Sequence, residues 1–512
     1  MSRKRLATNA VSGIVAFVVS VVLAFVMTPV IVRGLGFEWY GIWELAIGLV
    51  GYFGVLELGV GPALVAYVAN AVARNDDEEL NRILNTGLCA LMALGAVGAL
   101  VFAGMSLFAD KVIPVQSTAD VALPTLMIVF GLILAASLIR LSLSGFLLGL
   151  QAHALVNATQ MVLSILQAVV IYQILAMQAS YPLLKMALVV LAGSLIQTAV
   201  MAVTIRVLRR GSRFNFRYFD RGTVKSLLHY GFKSTIIRAS EGLLKRLVGF
   251  SIAHTAGVSK IVFFAMPNRL IEYAQSFVAE AALPLTPYYA NIAGGGDRKA
   301  VVDAWLETTR VCQVAVFGLA AGTLALGTPF IAVWIGDQVA ETSRWVFLIL
   351  ALCLFSPAIG CNGGRLLMSV AKHGPLATFA SIHALVCFVL SLALGAVWGV
   401  EGVAASMTIY SIGCAVRELR LACREYEVKV STLIRKAMVP FLLPLVIGTG
   451  SSFLLQIWLA PDNYRAIFAH AMVVSTTYLL AVWLLALTGP ERRFFIDKCA
   501  KLLASLRARM AG

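Results

Sequence analysis

Residues 3–33 read RKRLATNAVSGIVAFVVSVVLAFVMTPVIVR. Three basic residues lead into an apolar run that meets no further charge until Arg33. A helix needs about 20 apolar residues to cross the hydrocarbon core of a bilayer. This run is long enough, and too long for the apolar part of a cleavable signal peptide. Comparable runs follow at 38–70, 83–108, 119–150, 152–178, 183–207 and 226–254, then at 258–290, 301–335, 343–371, 374–397, 400–422, 433–459 and 463–489. The fold class expected is an all-α polytopic membrane protein with about 14 transmembrane helices.

The connections carry a strong charge asymmetry. With the N-terminus on the cytoplasmic side, the inner loops and tails hold 27 Lys and Arg, seven of them between Arg206 and Lys225 and six between Arg417 and Lys436. The outer loops hold six: Arg33, Lys111, Lys185, Lys260, Arg344 and Arg465. This is the positive-inside signature, and it predicts both termini in the cytoplasm. The net charge of +16 therefore points to the anionic inner leaflet as partner and not to nucleic acid.

Apolar residues make up 60% of the chain and charged residues 13%, about half the charged share of a soluble domain. The eight cysteines stand singly, mostly in apolar helices. They read as small packing residues, with no metal and no disulfide expected. Outer loops of about three to a dozen residues are too short to build a catalytic site. No phosphate-binding glycine loop, catalytic triad or metal-ligand spacing is present, so no cofactor is expected and a membrane-embedded polymerase or ligase is disfavoured.

Shifting the chain by 221 residues aligns Gly36 with Gly257, Leu49 with Leu270, Tyr52 with Tyr273, Tyr67 with Tyr288, Ala69-Asn70 with Ala290-Asn291, and Asp76 with Asp297. An even number of spans separates the copies, so the repeat is parallel. The domain organisation expected is an N-terminal six-helix lobe over 1–207, a basic cytoplasmic linker over 208–225 and a second lobe over 226–422. Two further helices follow over 433–489, then a tail over 490–512 that alternates apolar and basic residues as an amphipathic helix on the inner leaflet does. Two lobes around a central cavity suit alternating access. The linker, RVLRRGSRFNFRYFDRGTVK over 206–225, reads as a juxtamembrane segment beside anionic lipid.

Charges within the spans are costly and should face a wet cavity or a partner. The basic ones are Arg140, Lys233, Arg238, Lys245, Arg246, Arg269, Arg310 and Arg365; the acids include Glu44, Glu57, Glu241, Glu272 and Glu280. Lys233, Arg310 and Glu280 lie near segment ends and read as packing ion pairs or snorkelling side chains. Arg140, Arg238, Lys245 and Arg269 are deeper and read as cavity residues. Arginine's fork of donors suits phosphate oxygens, so the set is a candidate site for an anionic, diphosphate-bearing cargo. Carboxylates in apolar surroundings load and release protons near neutral pH, which makes Glu57 and Glu241 candidates for proton coupling; a buried structural partner is the equal alternative for Glu57. Pro29, the Gly59–Gly61–Pro62 group, Pro284 with Pro287, and Pro440 with Pro444 mark expected bends.

The stretch Gly34–Asn70, GLGFEWYGIWELAIGLVGYFGVLELGVGPALVAYVAN, resembles the first two helices of bacterial polysaccharide-biosynthesis membrane proteins. These are the O-antigen-type, lipid-linked oligosaccharide flippases of the multidrug/oligosaccharidyl-lipid/polysaccharide exporter superfamily. The resemblance rests on Gly41-Ile42-Trp43 and Leu56-Glu57-Leu58-Gly59, with Gly149-Leu150-Gln151 to Asn157 as a second match. Glu57 stands where aspartate is the commoner residue.

The resemblance implies a transporter and not an enzyme. It would move a polyprenyl-diphosphate-linked oligosaccharide across the bacterial inner membrane for O-antigen or exopolysaccharide synthesis, with polysaccharide polymerase machinery as a further partner. A cation-coupled multidrug exporter and a peptidoglycan-precursor flippase of the same superfamily are the alternatives. The glycan carried and the coupling ion stay open.

Overall fold

The computed structural model describes residues 3–54, 57, 59–109, 123–209, 211–370, 374–493 and 496–497. Side chains are described for these except at 3–8, 10, 11, 14, 216, 230–246, 374–378, 380 and 381. Helices form all the regular structure of the described chain, with no strand among the described residues. Lipid offers no partner to a backbone N–H or C=O, so each apolar run must satisfy its own hydrogen bonds, and the helix does so within one segment. Helical elements lie along every one of the fourteen apolar runs. Among the described residues, nine helices are long and apolar enough alone to cross a membrane, or ten if the bent pair Arg344–Gly360 and Gly363–Ser369 is one span. Fourteen spans are compatible with this, because other runs are broken or joined.

In chain order the helices are α1 (Arg3–Leu35), α2 (Phe37–Gly54), α3 (Val60–Arg74), α4 (Asp77–Ser106), α5 (Leu123–Gly149), α6 (His153–Ala176), α7 (Pro182–Leu208) and α8 (Arg221–Thr255). Next come α9 (Ile261–Ala281), α10 (Leu285–Gly294), α11 (Arg298–Trp334), the short α12 (Asp337–Thr342), α13 (Arg344–Ala351), α14 (Ser356–Gly360) and α15 (Gly363–Ser369). The last are α16 (Gly374–Tyr426), α17 (Val430–Leu433), α18 (Leu442–Gln456) and α19 (Tyr464–Ala481). Within α16 two helices meet at Gly399, whose φ of 60° and ψ of −134° are not helical.

Two compact units emerge. The first comprises Met1–Val262 with Ala380–Val403, the second Phe263–Phe379 with Ala404–Gly512. α8 belongs to the first unit, even though the sequence repeat begins its second copy there.

In the first unit α2 carries a buried face of Tyr40, Ile42, Trp43 and Leu45. Trp43 meets the edge of Phe130 on α5 at 5.8 Å between ring centres. Gly41 has a specific cause: a Cβ there would lie 2.1 Å from the carbonyl oxygen of Val258. Only glycine lets α2 approach that backbone. Ser251 on α8 and Ser391 on α16 share a buried hydrogen bond of 2.7 Å.

In the second unit α11 supplies donors to the broken tenth span. Cys361 and Asn362 are both left-handed, with φ of 48° and 56°, and split α14 from α15. The freed carbonyls must find partners. Trp305 Nε1 and Thr309 Oγ1 donate to Cys361 O at 2.5 and 3.0 Å, and Gln313 Nε2 donates to Ala358 O at 2.9 Å. Near the second unit's C-terminal helices, buried His470 bridges Ser452 Oγ and Leu459 O, at 2.9 Å each.

The repeat positions perform the same local tasks in each copy. Gly36 joins α1 to α2 at φ 77°, and Gly257 follows α8 at φ 99°. Asp76 caps α4 by accepting from Glu79 N, and Asp297 caps α11 by accepting from Lys299 N and Ala300 N. Breaks separate α2 from α3 and α9 from α10, near the expected glycine and proline groups. Pro29 instead lies inside the continuous α1. Ahead of α18 the bend is a π-helical turn, Ile434–Met438, followed by a 3₁₀ turn, Val439–Phe441. The expected amphipathic tail lies outside the described residues at 494–495 and from 498 onward.

Candidate functional site

The break in the second span is built by Gly59, which adopts φ 74° and ψ 12° as the residue before α3. A side chain at that left-handed position would clash with its own backbone. The half-buried Glu57 side chain folds over the first turn of α3. Its Oε2 lies 3.6 Å from where a Cβ of Gly61 would stand, and Leu141 Cδ1 of α5 lies 3.4 Å from the same point. Gly61 thus makes room for a carboxylate beside α5. On α5, Leu141 is preceded by Arg140.

Arg140 is half-buried, and its Nε is fully buried with no hydrogen-bond acceptor among the described residues. Buried donors are normally paired. A guanidinium in the middle of a long apolar helix, with one donor unmatched, suits an anion more than a lipid tail. Neither Glu57 nor Glu44 is an isolated charge; Glu44 accepts a hydrogen bond from the Tyr40 hydroxyl one turn earlier.

The seventh span supplies Arg238, Glu241 and Lys245. The backbone of α8 is helical through all three, so their i, i+3 and i+7 spacing places them along one helical face. Their side chains, with those of Lys233 and Arg246, lie outside the described residues. Arg269 and Glu272 sit on α9 of the second unit, both half-buried and both partnered. Arg140 and Glu57 both belong to the first unit, whereas Arg269 belongs to the second.

Two further intramembrane arginines have structural employment. Arg365 Nη2 donates to Ala279 O at 2.6 Å, closing the last turn of α9 ahead of its break. Arg310 pairs with Glu491 and also donates to Lys436 O and Ala486 O. It thereby collects carbonyls from two π-helical turns, Ile434–Met438 and Val482–Ala486. The segment-end expectation for Arg310 matches this packing role. All described cysteines are free, and no group of three or more metal-ligating side chains occurs among the described residues.

Sequence reasoning missed three buried polar residues on α4: Asn81, Asn85 and Thr86. They hold the basic linker. Asn81 Nδ2 donates to Gly211 O at 3.1 Å and Asn81 Oδ1 accepts from Arg213 N at 2.7 Å. Asn85 Nδ2 donates to Arg213 O at 2.7 Å and Asn85 Oδ1 accepts from Asn215 N at 2.8 Å. Thr86 Oγ1 donates to Tyr218 O at 3.4 Å and accepts from Asp220 N at 3.1 Å. Asp220 then caps α8: hydrogen bonds from the Thr223 hydroxyl and backbone hold its carboxyl below the usual aspartate range. Because of that cap, α8 starts at Arg221, before the expected linker ends.

Comparison with known proteins bears on this arrangement. "Uncharacterized membrane protein EpsK" of Bacillus subtilis (strain 168) is 23% identical over 347 residues, 66% of this chain and 67% of that protein. The "Putative O-antigen transporter" of Shigella flexneri is 20% identical over 358 residues, 69% of this chain and 82% of its own length. In fold, the chain is similar to the lipid II flippase MurJ in an inward closed conformation, with a TM-score of 0.65 and 14% identity over 93% of this chain and 98% of the other. It is also similar to an inward-facing multidrug resistance MATE family transporter of the MOP superfamily, with a TM-score of 0.63 and 15% identity over 81% and 95%. Residues 6–292 match the family described as "Polysaccharide biosynthesis protein", a span that runs from within α1 into α10 and includes Glu57 and Arg140, and the chain belongs to that polysaccharide-biosynthesis family.

Proposed function

We propose that this membrane protein flips a polyprenyl-diphosphate-linked oligosaccharide from the cytoplasmic to the outer leaflet of the bacterial inner membrane, by alternating access, for O-antigen or exopolysaccharide synthesis. The observation that carries it is Arg140: a half-buried guanidinium on an apolar helix, with Nε unmatched among the described residues. A diphosphate offers the acceptors such a group lacks. Arg238, Lys245 and Arg269 complete the proposed cationic set on grounds of depth in their spans, and Glu57 and Glu241 are the proposed proton carriers on the same grounds. The two six-helix lobes, 1–207 and 226–422, would supply the alternating motion, with both termini cytoplasmic as the basic loops favour. Anionic inner-leaflet lipids and polysaccharide polymerase machinery are the proposed partners.

The test is translocation of a fluorescent polyprenyl-diphosphate oligosaccharide in proteoliposomes, with and without a proton gradient. Losing a charge-assisted hydrogen bond to a diphosphate should slow Arg140→Ala by roughly tenfold or more, with Arg238→Ala and Arg269→Ala also impaired. Dependence on the gradient that disappears in Glu57→Gln or Glu241→Gln supports proton coupling. Normal transport in all three arginine variants removes the site assignment. Failure of folded wild type to move any glycan, with export of cationic drugs instead, replaces the flippase by a multidrug exporter.

A further inference from the structure

The linker between α7 and α8 is an ordered element. Gly211, Arg213 and Asn215, every second residue, turn backbone groups toward Asn81 and Asn85, as the hydrogen-bonding edge of a β-strand does. The two asparagines stand one helical turn apart on α4, and each amide is fixed by a bond to the carbonyl four residues earlier, Asp77 O and Asn81 O. At 8% and 3% relative exposure they are spent on holding this extended stretch.

Exposed cations follow along the linker, its 3₁₀ turn and the first turns of α8. Basic residues recur every fourth position, at Arg209, Arg213, Arg217, Arg221 and Lys225. Arg209 pairs with Asp77 at 2.9 Å, while Arg213, Arg217, Arg221 and Lys225 are exposed. The acids around them are engaged: Glu78 and Glu79 with Arg82, and Asp220 with Thr223. The linker leaves directly from the end of apolar α7, and Phe219 beside the row is 44% exposed. Cations with an exposed aromatic at the mouth of a membrane helix match the headgroup layer.

We infer that Arg213, Arg217 and Arg221 form a fixed binding row for anionic phospholipid headgroups at the membrane surface, Arg213 held by the Asn81–Asn85 ladder and the stretch to Arg221 by the Thr86 bonds to Tyr218 and Asp220 and by the Asp220 cap of α8. The row is selective because it is ordered: a loose basic loop attracts negative charge diffusely, whereas a clasped one presents its guanidiniums at set spacing. This deepens the proposed anionic-lipid contact but needs no assumption about the transported glycan, so it can fail while the flippase proposal stands.

The test uses the full-length protein in mixed micelles of phosphatidylglycerol and phosphatidylcholine, counting retained lipids by native mass spectrometry. Thermal unfolding and monodispersity confirm the fold of each variant. Arg213→Gln/Arg217→Gln/Arg221→Gln should lose preference for phosphatidylglycerol, by roughly fivefold per charge removed. Asn81→Ala/Asn85→Ala keeps every charge and should still lose most of the preference. Unchanged selectivity in the triple variant overturns the binding row, and unchanged selectivity in the asparagine variant overturns its ordering. Soluble inorganic diphosphate that occupies the row while phosphatidylglycerol shows no preference also overturns it, in favour of a free phosphate ligand.

Discussion

Arg310 and Glu491 meet in a two-pronged ion pair, Nε to Oε1 at 2.6 Å and Nη2 to Oε2 at 3.0 Å, with side chains only 10% and 11% exposed. Burial works to raise the Glu491 pKa, but hydrogen bonds from Arg310 and from Thr488 outweigh it and hold the carboxyl below the usual glutamate range. The pair ties α11 to the ends of the last two helices.

Removing one partner of a buried pair leaves the other charge uncompensated, so Glu491→Ala should cost about 3 kcal/mol. The folded pKa is below the unfolded value of about 4.3. The carboxylate's contribution is therefore complete above about pH 5 and is lost as the pH falls through the folded pKa. Thermal unfolding in detergent from pH 7 to pH 3 should show an acid-side loss in wild type that is smaller in Glu491→Gln. Parallel curves for the two proteins would mean the pair is inert.

Gly41→Ala should destabilise the first unit by about 2–3 kcal/mol, because the new methyl meets the backbone of Val258 and no side chain can swing away. Gly54→Ala, with open space around it, is the matched control and should leave the unfolding temperature nearly unchanged. Equal effects at the two positions would contradict the close approach of α2.

How far the sequence revealed these features depends on what each one needs. Long apolar runs and one-sided basic loops need only composition, and so the helices and the linker were visible. Gly41 and Gly59 were visible as family motif positions, but their causes, a carbonyl at 2.1 Å and a left-handed turn, were not. Asn81 and Asn85 gave no signal because their partners are backbone groups about 130 residues away. The Cys361–Asn362 break was missed because a left-handed pair has no compositional mark. Arg140 was legible by depth alone, whereas the burial of its unmatched Nε depends on how α5 packs.

The carbonyl of Cys361 has two donors, Trp305 and Thr309. Trp305→Phe or Thr309→Val alone leaves one bond in place and should cost well under the double variant. With both gone a buried carbonyl is orphaned, at roughly 1–3 kcal/mol beyond the sum of the singles. A double-mutant cycle on thermal stability measures this coupling directly. Strict additivity would show that water or another group reaches the break.

The internal repeat makes a paired prediction at Asp76 and Asp297. Each carboxylate accepts the first free N–H groups of the helix that follows, Glu79 N at 2.9 Å in one copy, and Lys299 N and Ala300 N at 2.9 and 3.1 Å in the other. Loss of such a cap typically costs about 1 kcal/mol. Asp76→Ala and Asp297→Ala should each lower the unfolding temperature, and Asn at either position should restore most of the loss, because the amide oxygen accepts the same bond. The helices differ beyond the cap: α4 has three acids in its first turn whereas α11 starts with Arg298 and Lys299. Negative charge near a helix N-terminus is favourable and positive charge is not, so α11 leans harder on its cap. Asp297→Ala should therefore be the more damaging of the two, and a larger loss at Asp76 would show that the first-turn charges do not act through the helix end.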